Sequence, residues 1–81
     1  MLVTLRMFAR LREITGTTEL QVVRPEGSNA GALWSALTEQ YPGLAPYTGS
    51  ISCAINQEYA KLSTALKEGD EIAFLPPVSG G

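Results

Sequence analysis

From residue 30 to residue 41 the apolar positions keep a helical period: Ala30, Leu33, Trp34, Leu37 and Tyr41 fall at i, i+3, i+4, i+7 and i+11. The flanking segments alternate with a period of two instead. A chain of 81 residues with one helix of this length is a single domain. Its simplest core places that helix across one face of a sheet. Asn29, or Ser28 before it, supplies the N-cap. Gly31 in the first turn costs about 1 kcal/mol against alanine, which a helix of this length absorbs. Pro42 and Gly43 end it. Helical spacing marks Trp34 as a core anchor rather than a ligand-stacking residue.

The strands follow from alternation. Residues 2–9 place Val3, Leu5 and Met7 on one face and Leu2, Thr4, Arg6 and Phe8 on the other. Residues 10–15 are more polar and read as a connection, closed by a turn at Gly16. Residues 18–23 form a second strand, antiparallel to the first. After the turn cluster at 25–29, the helix and a loop over 44–50, residues 51–55 form a third strand. Asn56-Gln57 turns the chain into a short strand at 58–62, and Gly69-Asp70 precedes the last strand, 71–75. The order β-β-α-β-β-β predicts an α+β chain of the β-grasp, ubiquitin-like type: a mixed sheet covered by one main helix. Ile72-Ala73-Phe74-Leu75 is apolar at every position, which suits a strand in the middle of the sheet. Burial on both faces explains that run; so does one partly open face that binds a partner.

Composition excludes several functions. Net charge is −2, from six basic and eight acidic residues, and Glu13 interrupts the nearest basic group, Arg6, Arg10 and Arg12. No nucleic-acid footprint is expected. No apolar run approaches the ~20 residues that span a bilayer. The first residues lack a charged leader and a cleavage site, so a cytoplasmic setting is expected. With no histidine and one cysteine, the usual zinc sites and Ser-His or Cys-His nucleophile pairs cannot be built. Cys53 alternates with Ile51 and Ile55 and reads as a buried core residue rather than a sulfur-carrying thiol.

The sequence closes on Pro76-Pro77-Val78-Ser79-Gly80-Gly81. Glycines lack Cβ atoms and keep a backbone thin enough for a narrow enzyme channel. The prolines favour an extended approach, and residues 78–81 reach roughly 13 Å when extended. The expected division is a β-grasp domain over 1–75 and a flexible tail over 76–81. The Gly81 carboxylate is then the chemical group and Gly80 gives it access. A frayed, inert tail is the competing reading.

The segment from Gly69 to Gly81 resembles the MoaD family, small subunits of molybdopterin synthase within the ubiquitin-like sulfur carriers. Phe8-Ala9-Arg10-Leu11-Arg12-Glu13 and Ala54-Ile55-Asn56-Gln57 are similar to the same family, so the resemblance spans essentially the whole chain. The resemblance implies a sulfur carrier for molybdenum cofactor synthesis. A MoeB-like enzyme would adenylate the Gly81 carboxylate with ATP, and a sulfur donor enzyme would convert it to a thiocarboxylate. A MoaE-like large subunit, in a heterotetramer, would use that sulfur to turn cyclic pyranopterin monophosphate into the dithiolene of molybdopterin. No bound cofactor or metal and no catalytic side chain are implied. The alternatives are a carrier for thiamin, cysteine or transfer-RNA thiolation, a ubiquitin-like protein modifier, or an interaction module with an inert tail.

Alternation also predicts a partner surface. If Val3, Leu5, Met7, Ile72 and Phe74 pack under the helix, then Phe8, Tyr59 and Leu75 emerge on the outer face. Large apolar side chains there form a patch of the kind that marks interaction sites. With Pro76, Pro77 and Val78 they make the expected partner interface.

Overall fold

The computed structural model describes residues 1–77. Five strands form one sheet in the order β2-β1-β5-β3-β4. They are β1 (Leu2–Met7), β2 (Glu19–Val23), β3 (Ser52–Ile55), β4 (Glu58–Ala60) and β5 (Glu71–Leu75). β1 runs parallel to β5, with Leu5 opposite Ile72; the other pairings are antiparallel. The main helix, α2, spans Ala30–Gln40. This is the mixed sheet and covering helix of a β-grasp fold.

The inner face carries the core. β1 contributes Val3, Leu5 and Met7, β3 contributes Cys53, and β5 contributes Ile72 and Phe74. α2 answers with Leu33, Trp34 and Leu37. Trp34 meets Phe74 edge to face, and its indole Nε1 donates to the Thr48 hydroxyl at 3.1 Å. That bond satisfies the one polar atom the buried ring carries. Asn29 caps α2 by accepting from the Ala32 N–H at 2.7 Å. The position of Gly31 has a steric cause: its N–H donates to Leu62 O at 2.7 Å, and a Cβ there would lie 3.3 Å from the same oxygen.

Two segments differ from the sequence reading. Residues 10–15 belong to a short helix, α1 (Ala9–Thr15), not to an irregular connection. Leu11 is fully buried, and the Phe8 carbonyl accepts from the Leu11 and Arg12 N–H groups. Gly16, at φ 74°, closes the helix by donating to Arg12 O at 2.8 Å. The loop after α2 begins as a 3-10 helix over Pro42–Tyr47, with Pro42 in its first turn and Leu44 fully buried. Proline suits that first turn because its missing N–H has no partner there in any case. The strands also stop short of their expected ends, β1 at Met7 and β4 at Ala60.

β5 sits in the centre of the sheet, as its apolar run requires. Ile72 and Phe74 are fully buried, whereas Ala73 and Leu75 are partly exposed. The run therefore reflects one covered face and one open face. The β3–β4 turn holds Asn56 and Gln57 at φ 52° and 71°, as a two-residue hairpin turn of the type I′ kind demands. Asn56 also ties the hairpin to the start of β5. Its Nδ2 donates to Asp70 Oδ1 at 2.9 Å and its Oδ1 accepts from the Glu71 N–H at 3.0 Å. Among the described residues, no helix is long and apolar enough to cross a membrane.

Candidate functional site

Strand pairing builds a row across the open face. Arg6 stands opposite Ala73, Ala73 opposite Ala54, and Ala54 opposite Tyr59. One step further along, Phe8 and Leu75 follow on the same face by alternation. Phe8 is 40% exposed and Tyr59 82% exposed, high values for aromatic side chains on a sheet.

These side chains stand between two clefts. The first, of about 440 Å³, is floored by Ala54 and Ala73 and flanked by Arg6, Phe8, Tyr59 and Leu75. The second, of about 780 Å³, shares Phe8, Tyr59 and Leu75 and adds Ala9, Arg10, Tyr47, Pro76 and Pro77. Phe8, Tyr59, Leu75, Pro76 and Pro77 thus line one cleft at the point where the chain leaves β5. Val78, Gly80 and Gly81 lie outside the described residues.

The charged groups of the site are few and paired. Arg6 Nη1 lies 3.8 Å from Glu19 and 3.7 Å from Glu71, and its guanidinium carbon lies 5.9 Å from the Phe8 ring centre. Its Nε is covered and makes no hydrogen bond. Arg10 Nη1 donates to Glu13 at 3.0 Å; this bond first, and the neighbouring Tyr47 second, raise the Arg10 pKa above its ordinary value. Ala9, at φ 50°, occupies the left-handed region, a strained conformation directly after Phe8. No group of three or more His, Cys, Asp or Glu that could hold a metal occurs among the described residues.

Cys53 lies on the opposite, covered face. It is fully buried, its Sγ donates to Ala60 O at 3.3 Å, and burial pushes its pKa up. A thiol held protonated under the sheet is a poor nucleophile. The first cleft is lined mainly by apolar side chains, and Arg6, Gln57 and Glu71 complete its lining.

Of the residues expected at a partner interface, Phe8, Tyr59, Leu75, Pro76 and Pro77 line the clefts; Arg6, Ala54, Ala73, Arg10 and Tyr47 line them too and were not among those expected. Arg6 and Ala73 share the parity of Phe8 and Leu75, so alternation alone could have added them. Ala54 and Tyr47 join only through the strand order and the 3-10 helix.

The ThiS family profile matches residues 5–81. The chain belongs to the ThiS family. A human molybdopterin synthase sulfur carrier subunit is 40% identical to this ThiS-family chain over 77 residues, covering 91% of this chain and 88% of its own length. Among solved structures, small archaeal modifier protein 1 of Methanosarcina acetivorans superposes with a TM-score of 0.81 at 36% identity, over 99% of this chain and 96% of that one. A complex of subunits 1 and 2 of the molybdopterin-converting factor of Helicobacter pylori contains a chain with a TM-score of 0.69 at 29% identity, with both chains fully covered.

Proposed function

We infer that this chain is a sulfur carrier of molybdenum cofactor biosynthesis, the small subunit of a molybdopterin synthase. The observation that carries the reading is 40% identity with the human sulfur carrier subunit across 91% of this chain. A carboxylate is a poor electrophile, since it is anionic and its oxygen leaves badly. Attack of the Gly81 carboxylate on ATP gives an acyl-adenylate and pyrophosphate. Sulfide-level sulfur delivered by a donor enzyme then attacks the acyl carbon, displaces AMP and leaves a thiocarboxylate. In the large subunit the thiocarboxylate gives its sulfur to cyclic pyranopterin monophosphate and water restores the Gly81 carboxylate; the two sulfurs of the dithiolene take two such deliveries. In this reading the carrier supplies recognition and reach, and the chemistry is done by its partner enzymes. An ATP-rich cytoplasmic setting suits this cycle.

The partners in this reading are a MoaE-like large subunit within a heterotetramer, a MoeB-like adenylating enzyme and a sulfur donor enzyme. Support for a protein partner comes from the two-subunit Helicobacter pylori complex. Docking uses Phe8, Tyr59, Leu75, Pro76, Pro77 and Val78, which brings Gly80 and Gly81 to the active site. The test is a reconstituted synthase with Gly81 deleted or one residue appended. Dithiolene formation should disappear while the circular dichroism spectrum stays native. Full activity of an extended chain that is not trimmed back to Gly81 would contradict the reading.

A second reading is favoured by the likeness to small archaeal modifier protein 1. The activated Gly81 would then form an isopeptide bond with a lysine of another protein. Gel-shifted, ATP-dependent conjugates in host lysate would support it.

A further inference from the structure

The row Arg6, Ala73, Ala54, Tyr59 has an uneven profile. Two methyl groups lie side by side at its middle, on neighbouring strands β5 and β3. Larger groups surround them: the Arg6 guanidinium at one end, the Tyr59 ring at the other, Phe8 and Leu75 one step along. Central strands usually carry β-branched or aromatic residues at half-exposed positions, and such bulk would level this face. Alanine at both positions leaves a slot instead.

The chemistry of the slot limits what enters it. Its floor and the sides made by Phe8, Tyr59 and Leu75 are mainly apolar, and Arg6, Gln57 and Glu71 complete the lining. At the Arg6 end the positive charge already faces Glu71 at 3.7 Å and Glu19 at 3.8 Å. An incoming carboxylate would meet Glu71, and an incoming ammonium would meet Arg6. An uncharged apolar side chain meets neither and loses no hydration shell on entry. The slot is also continuous with the cleft at Pro76 and Pro77 through Phe8, Tyr59 and Leu75, the surface on which the proposed function seats the large subunit.

The geometry points to the slot as the socket for one apolar side chain of the synthase large subunit, with Ala54 and Ala73 setting the size that fits. This rests on the docking described under the proposed function. The probe is the purified large subunit from the same host, titrated calorimetrically into full-length carrier. Ala73→Leu and Ala54→Leu each fill the socket from its floor without touching the core. Either folded variant should bind at least about tenfold more weakly, with its unfolding midpoint near that of the unmodified protein. If one variant does not fold, the other decides. Phe8→Ala with Leu75→Ala separates the two levels of the claim. Loss of binding in that double variant, together with unchanged binding in the alanine variants, overturns the socket and leaves the docking face standing. Unchanged binding in all three overturns both.

Discussion

Phe74 and Leu75 are neighbours in the chain and serve opposite sides of the sheet. Phe74 is fully buried, its ring centre 5.0 Å from that of Trp34 at an interplanar angle of 63°. Leu75 opens onto the cleft where Pro76 and Pro77 leave the domain. Under the proposed docking, stability and recognition are separable within one strand. Phe74→Ala is expected to cost about 3–5 kcal/mol in urea unfolding. Leu75→Ala should cost about 1 kcal/mol or less, as a partly exposed position does. Combined with Phe8→Ala, it should weaken association with the large subunit at least tenfold, roughly 1.4 kcal/mol. Binding unchanged in a folded double variant would rule this face out.

Cys53 should be dispensable for chemistry. Cys53→Ala is expected to accept sulfur normally and to lose at most about 3 kcal/mol of stability. A folded variant that cannot be loaded with sulfur would give the thiol a role that its buried position denies.

The same residue sets a pH dependence. Burial raises the folded-state thiol pKa above its ordinary value of 9.0. Between the unfolded and folded pKa values the native state binds more protons, so stability falls as pH rises. The thiol's contribution is complete below the ordinary value and is lost as pH climbs through the raised one. Urea midpoints measured from pH about 7 to about 10 should fall more steeply in the unmodified protein than in Cys53→Ala. Parallel slopes would contradict this.

Much of this architecture is legible in the sequence, and the gaps have physical causes. β1 and α2 announce themselves because each has one covered face and therefore a clean period; β5 does so as an unbroken apolar run after the Gly69-Asp70 turn. Helix α1 hides because it is seven residues long and buries Leu11 with no side-chain cap to mark its start. The 3-10 helix hides because Pro42 and Pro46 read as loop residues, while its first turn needs no N–H from proline. In the site, Phe8, Tyr59 and Leu75 could be found by parity and size. Ala73 shares the parity of Leu75, but the floor it makes with Ala54 emerges only when strand order places the two small residues side by side.

The β3–β4 turn offers a test in both directions. Gln57, at φ 71°, holds a conformation that costs a side-chain-bearing residue about 1–2 kcal/mol. Gln57→Gly completes the Asn-Gly pair that such turns favour and should stabilise the protein by about 0.5–1 kcal/mol. Asn56→Gly keeps the backbone freedom but removes the bonds to Asp70 and Glu71, and should cost about 1–2 kcal/mol. Differential scanning calorimetry should show melting temperatures moving in opposite directions; a shared direction would break this account of the turn.

The central claim is that this chain carries sulfur on Gly81. Intact-mass spectrometry tests it most directly, after incubation with the host's activating enzyme, ATP and a sulfur source. The account predicts an ATP-dependent gain equal to one sulfur replacing one oxygen, confined by fragmentation to the C-terminal residue and present in Cys53→Ala. An unchanged mass under conditions that load a known carrier, or a gain that maps to Cys53, would contradict it.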